Sequence, residues 1–161
     1  MTIGFDNFIR TALDEYNRFM DKTDFAMFKN PSYLLTIGVI FFTNDKNPHE
    51  ALLFIDRAIE VDERSGPVSA IAYHYRALVQ LSRGAQVHDR KLQQAALADL
   101  HETIKLIEER VIPTIHLVGQ DHMGTDLGMQ TETKEKLWQS IVTKSRKIIE
   151  VRGYAFEMQT K

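Results

Sequence analysis

The sequence predicts an all-α chain made of antiparallel helix pairs. Two features carry this: apolar residues recur at three- and four-residue spacing in one segment after another, and prolines stand where such segments begin. A third supports it. With four prolines and eight glycines in 161 residues, long stretches run without either breaker.

The first segment, from about Phe5 to Met20, places Phe5, Ile9, Ala12, Leu13, Tyr16, Phe19 and Met20 on one helical face. Residues 21–30 read as a connector, and Pro31 suits the start of a second helix, where its missing N–H has no partner to lose. Ser32 to Phe42 is apolar nearly all round. Ile37, Val39, Ile40 and Phe41 would also suit a strand, but the helical pattern that follows favours a helix. After the polar turn at residues 43–46, Asn47, Pro48 and Glu50 form a helix start, with Glu50 three places after the cap. Ala51, Leu52, Ile55, Ala58 and Ile59 share the next face, and Gly66-Pro67 ends one helix and opens another. That helix presents Ala70, Tyr73, Ala77, Leu78 and Leu81 up to Gly84. Beyond a loop at residues 85–94 comes a helix bearing Ala96, Leu97, Leu100, Ile104 and Ile107.

Pro113 then breaks the periodicity, and residues 113–130, with three glycines, read as a long loop. A last helix is expected over 131–155, capped by Thr131 and carrying Leu137, Trp138, Ile141, Val142, Ile148, Ile149 and Ala155. Gly153 should weaken its end. The whole, 1–161, reads as one helical-repeat domain: N-terminal helix and connector at 5–30, helix pairs at 31–109, then loop and C-terminal helix.

Composition narrows the function classes. The apolar fraction of 43% and charged fraction of 26% belong to a globular chain. The net charge of −2 gives no bulk attraction to nucleic acid or anionic membrane. From Glu132 onward there are seven Lys and Arg against four Asp and Glu, so a +3 tail follows a −5 body. Such a tail suits a contact within one molecule or between two. The absence of cysteine removes disulfides, thiolate metal sites and cysteine nucleophiles, and fits a cytoplasmic location. No signal peptide is visible, and the apolar patch at Leu34–Phe42 is too short to span a bilayer.

Two stretches resemble tetratricopeptide repeats, helix–turn–helix units of about 34 residues. In the first, Gly38 stands at the small crossing position of the leading helix, and Ala51, Ile55, Ala58 and Ile59 give the small–large–small pattern of the second. The string from Glu50 to Glu60 is the most repeat-like in the chain. In the second, Ala77 takes the crossing position and Gly84 follows seven residues on. Ala96 and Leu100 match the following helix, but Thr103 replaces its second small residue. Ala51 and Ala96 lie 45 residues apart, more than one unit, and no proline closes the repeat after Ile59. The resemblance covers about 32–109. It implies a right-handed stack of helix pairs, flanked here by the N- and C-terminal helices, and a non-enzymatic adaptor that binds other proteins.

In that family the leading helices line a groove that receives peptides or helices. The matching positions here are Leu35, Val39 and Phe42, then Ile71, His74, Leu78 and Leu81. An apolar groove of this kind suits an amphipathic helix rather than the terminal carboxylate that some members hold with Lys and Asn. The occupant is a partner protein, a terminal helix of the same chain, or a second copy in a homodimer. The rival reading is a metal-dependent enzyme or metal-binding protein built on His116, Asp121, His122 and Asp126, whose residue types can ligate zinc but whose spacing matches no fixed geometry. The sequence implies no cofactor. Lys144-Ser145-Arg146-Lys147 offers three cations to nucleic acid, or to acidic pairs such as Asp62-Glu63 and Glu108-Glu109. The former is disfavoured without aromatic stacking platforms. Trp138, the lone tryptophan, reads as a core anchor.

Overall fold

The computed structural model describes residues 3–21, 29–44, 46–87, 89–119 and 126–160. Among them there is no strand. The helices are α1 (Ile3–Asp21), α2 (Pro31–Thr43), α3 (Pro48–Val61), α4 (Pro67–Val87), α5 (Arg90–Leu106), α6 (Ile112–Gly119) and α7 (Asp126–Thr160). A π-helical turn, Ile107–Val111, joins α5 to α6. The stretch at Ser32–Phe42 is thus a helix. No described helix is long and apolar enough to cross a membrane.

Local chemistry sets the starts of α2, α3 and α5. Pro31 opens α2, and the Asn30 side chain accepts the Tyr33 N–H at 3.2 Å. Asn47 does the same for Glu50 at 3.2 Å, with Pro48 opening α3. The reciprocal half of a capping box is missing there, because the Asn47 N–H donates to the Phe41 carbonyl instead. Asp89 caps α5 by accepting from the N–H groups of Lys91 and Leu92. The start of α4 is served from outside. The Asp62 carboxylate, at the end of α3, accepts the Ser69 N–H at 2.7 Å. Gly66 leaves room for it, since a Cβ there would stand 2.5 Å from both Asp62 oxygens. Glu63 and Arg64 adopt left-handed φ of 58° and 64°, at a cost of roughly 1 kcal/mol each. The Arg64 N–H closes the end of α3 on the Ile59 carbonyl.

The helices stack as antiparallel hairpins. In α2/α3, Gly38 faces Ala51 and Ile55 so closely that a Cβ would meet Ile55 Cγ1 at 2.8 Å and the Ala51 carbonyl oxygen at 3.1 Å. In α4/α5 the pairing runs from Ala70 opposite Thr103 to Gly84 opposite Gln93. Ala51, Ala58, Ala70, Ala77 and Ala96 are all fully buried. Thr103, the residue that departs from the small-residue pattern, is buried too, and its hydroxyl donates to the Ala70 carbonyl at 3.0 Å. The α4 helix packs on both α3 and α2, so one hairpin stacks on the other.

Arg76 crosses that seam. It forms a two-pronged bond with Asp99 of α5, both arms 2.8 Å, and donates to Asp56 of α3 at 3.0 Å. Its guanidinium also lies over the Tyr73 ring, 5.1 Å from the centroid. The bond to Asp99 pushes the Arg76 pKa up, so the guanidinium stays ionised.

The N-terminal helix attaches through aromatic contacts. Tyr16 meets Phe41 and Phe54 at 6.0 and 5.7 Å between ring centroids, and Phe8 meets Tyr33 at 5.2 Å. The connector, residues 22–28, lies outside the described residues.

Three sequence expectations change. The stretch 85–94 is helical at both ends, because α4 continues to Val87 and α5 begins at Arg90, with 88 outside the described residues. The loop at 113–130 is helical at 113–119 and again from Asp126, with 120–125 outside the described residues. Pro113 does not end the helix. A proline lacks the N–H and crowds the carbonyl four residues back, which the preceding π turn relieves: Ile112 donates to Ile107, five residues away. The last helix starts at Asp126 rather than at a Thr131 cap and extends past 155 to Thr160.

Gly38→Val should cost about 2–3 kcal/mol in urea unfolding, since the Ala51 backbone cannot yield. Unchanged stability would show that the crossing is looser than described. Asp99→Ala, which leaves the half-buried Arg76 guanidinium with only the exposed Asp56 as a carboxylate partner, should cost about 1.5–3 kcal/mol by the same measurement. A loss below about 0.5 kcal/mol would mean solvent screens the pair as it does surface pairs.

Candidate interaction surface

Of the six residues singled out for partner binding, Leu35 is buried and the other five are half-buried. Leu35 is only 8% exposed. Val39, Phe42 and Ile71 are partly buried and packed against the same core. His74 and Leu78 are half-buried on α4. Over the α4/α5 hairpin, α7 of the same chain is the covering element. Ile148 and Ile149 pack on the cluster of Ala77, Leu81, Ala96 and Leu100. Ser145 is fully buried, and its hydroxyl shares a 2.9 Å hydrogen bond with His74 Nδ1.

The remaining α7 contacts show which forces hold it. Val142 is fully buried in the main core, and a buried aliphatic side chain contributes about 1.5–3 kcal/mol. Arg146 pairs with Glu108 of the π turn at 2.8 Å, and His116 of α6 with Glu135 at 3.1 Å. The Arg146 and Glu108 side chains are 57% and 42% exposed, so their bond contributes about 1 kcal/mol at most. Apolar burial therefore outweighs these polar contacts in holding α7. The basic run splits around the helix: Ser145 points inward, Arg146 reaches Glu108, and Lys144 and Lys147 face solvent.

Where α6 and the N-terminal half of α7 meet the start of α4, the surface opens into a hollow of about 680 Å³. Its apolar wall is Pro67, Val111, Pro113, Ile115, Leu117 and Trp138. Ser65, Glu109, Arg110, Thr114 and Lys134 complete the lining. Leu117 is 72% exposed, and Leu137, beside Trp138 in sequence, is 63% exposed. The π turn delivers Glu109, Arg110 and Val111 to this place, and such turns recur at functional sites.

Sequence reading misses this hollow because it treats Pro113 as a break, which leaves α6 unassigned. The apolar run Ile112–Val118 next to Pro113 is the available signal. Trp138, expected in the core, is half-buried and faces both the core and the hollow. Of the candidate metal ligands, His116 is engaged with Glu135, while Asp121 and His122 lie outside the described residues. Among the described residues no group of three or more His, Asp or Glu is placed to hold a metal.

A chain whose described residues form stacked helical hairpins, with an apolar hollow where α6, α7 and the start of α4 meet, is what the fold and surface define. No protein-family model, no curated protein and no solved structure matches it.

Burial, and then the Lys144 ammonium, hold the His74 imidazole below its ordinary pKa of 6.5. The unfolded chain therefore takes up that proton first. Its contribution to stability is complete above about pH 6.5 and is lost as pH falls through the lower, folded value. Urea midpoints measured from pH 7.5 to 5 should decline less steeply in His74→Gln than in the parent protein. Parallel declines would remove His74 from the acid response.

Proposed function

We propose that this chain is a non-enzymatic protein-interaction adaptor of the cytoplasm, with stacked hairpins in the manner of tetratricopeptide repeats. It grips an apolar segment of another polypeptide in the hollow between α6, α7 and the start of α4. The observation that carries this reading is the pairing of a half-buried tryptophan with an exposed leucine in one concavity, Trp138 beside Leu117. Binding energy at protein interfaces concentrates in aromatic anchors seated in such pockets. The volume, about 680 Å³, falls in the range of roughly 300–1,000 Å³ typical of binding clefts.

The repeat-like reading draws support from the close crossing of Gly38 on Ala51, from the full burial of Ala58, Ala77 and Ala96, and from α4 packing on both helices of the preceding hairpin. The position of α7 agrees with it, since a short helical array must cover its last apolar face. The groove positions Leu35, Val39, Phe42, Ile71, His74 and Leu78 then support the stack from within, and partner contact moves to the exposed end. Self-association through this same patch is a second reading, favoured by the exposure of both Leu117 and Leu137.

Leu117→Asp tests both. The side chain is mostly in solvent, so the change should alter stability by less than about 0.5 kcal/mol. Proteins cross-linked to the wild-type chain in cell extract, and then shown to bind it after purification, should bind the variant at least about tenfold more weakly. If light scattering instead finds a dimer that the variant splits, the partner is a second copy. Full binding by the variant would exclude the hollow.

A further inference from the structure

We infer that the hollow selects an amphipathic helix whose apolar stripe is flanked by carboxylates; this rests on the interaction reading above. What points to it is the charge left over around the rim. Of the carboxylates next in sequence to lining residues, Glu108 is paired with Arg146, and Glu135 is turned to the His116 ring at 3.1 Å. Arg110 and Lys134, which line the hollow, have no side-chain partner among the described residues, and Glu109 is the lining carboxylate that opposes them. Among the described residues the rim therefore presents two cations against one carboxylate.

Placement matches an incoming helix. Lys134 and Trp138 stand four residues apart on α7, hence on one face, with Leu137 beside them. Arg110 approaches from the π turn, next to Val111 and Pro113 on the apolar wall. An apolar side chain seated against Trp138 and Ile115 thus shares the hollow with two cationic groups drawn from different elements. Arg110 offers a fork that fits a carboxylate two-pronged, and Lys134 a mobile point charge. A basic partner would meet Arg110 and Lys134 with like charge. A flat anionic membrane would match the charge, but a concavity reaching the half-buried Trp138 is shaped for an inserted side chain.

Trp138 is the only tryptophan, so its fluorescence reports on the hollow directly. The purified full chain is titrated with three tryptophan-free helical peptides of about four turns. They share one Leu/Phe stripe and carry Glu, Gln or Lys on its flanks. The Glu peptide should bind about tenfold or more tightly than the Lys peptide at low salt, with the gap narrowing as salt rises. In an Arg110→Glu/Lys134→Glu variant that retains its helical signal, the order should reverse. Equal binding of all three peptides would overturn the charge selection and leave the interaction reading standing. No response to any of them would remove the hollow as a helix site altogether. A response to phosphatidylserine vesicles stronger than to the Glu peptide would replace the helix with a membrane surface.

Discussion

Backbone-close crossing of paired helices is the constraint on which the architecture rests. At Gly38 the α2 backbone approaches α3 so nearly that even a methyl group would meet the Ala51 carbonyl at 3.1 Å. In α4/α5, Ala77 and Ala96 are both fully buried in one cluster with Leu81 and Leu100. Small residues at these points let the surrounding large ones, Phe54, Ile55, Leu34 and Leu100, interlock. Once each hairpin is close-packed, its outer faces become well-defined surfaces on which the next element can dock. The Arg76 fork to Asp99, with its third arm on Asp56, then ties three helices at the seam between the hairpins.

The last helix follows from the same logic. After α5 the α4/α5 hairpin still presents Leu81, Ala77, Ala96 and Leu100, and α7 returns to cover them. The basic character of the C-terminal tail is used partly inside the molecule, through Arg146 and Glu108. That bond is exposed and weak. It orients α7, whose attachment comes mainly from Val142, Ile148 and Ile149 against the core.

Pro113 links fold to surface. Three of the four prolines, at 31, 48 and 67, occupy first helical positions, where proline is well tolerated. The fourth falls inside a continuing helix, and the chain absorbs it by widening one turn. That widening carries Glu109, Arg110 and Val111 to the hollow beside Trp138. A local steric requirement thereby brings apolar and charged groups together in a concavity of binding size.

Much of this was readable from the chain. The periodicity of apolar residues, the Asn47-Pro48 start and the small residues at 38, 51, 58, 77 and 96 determined helical type and the pairing of α2 with α3 and α4 with α5. These are local or near-local signals, set by backbone sterics and by which face must leave water. The start of α7, the passage through Pro113 and the identity of the covering helix were not readable. A proline's effect depends on whether the turn before it can widen, and that is decided by what packs around it. The same holds for the site. His74 and Leu35 look like groove residues on an isolated α2/α4 face, but burial is a property of the neighbours. Only the assembled structure brings α7 onto His74 and leaves Trp138, Leu117, Arg110 and Lys134 together at the open end.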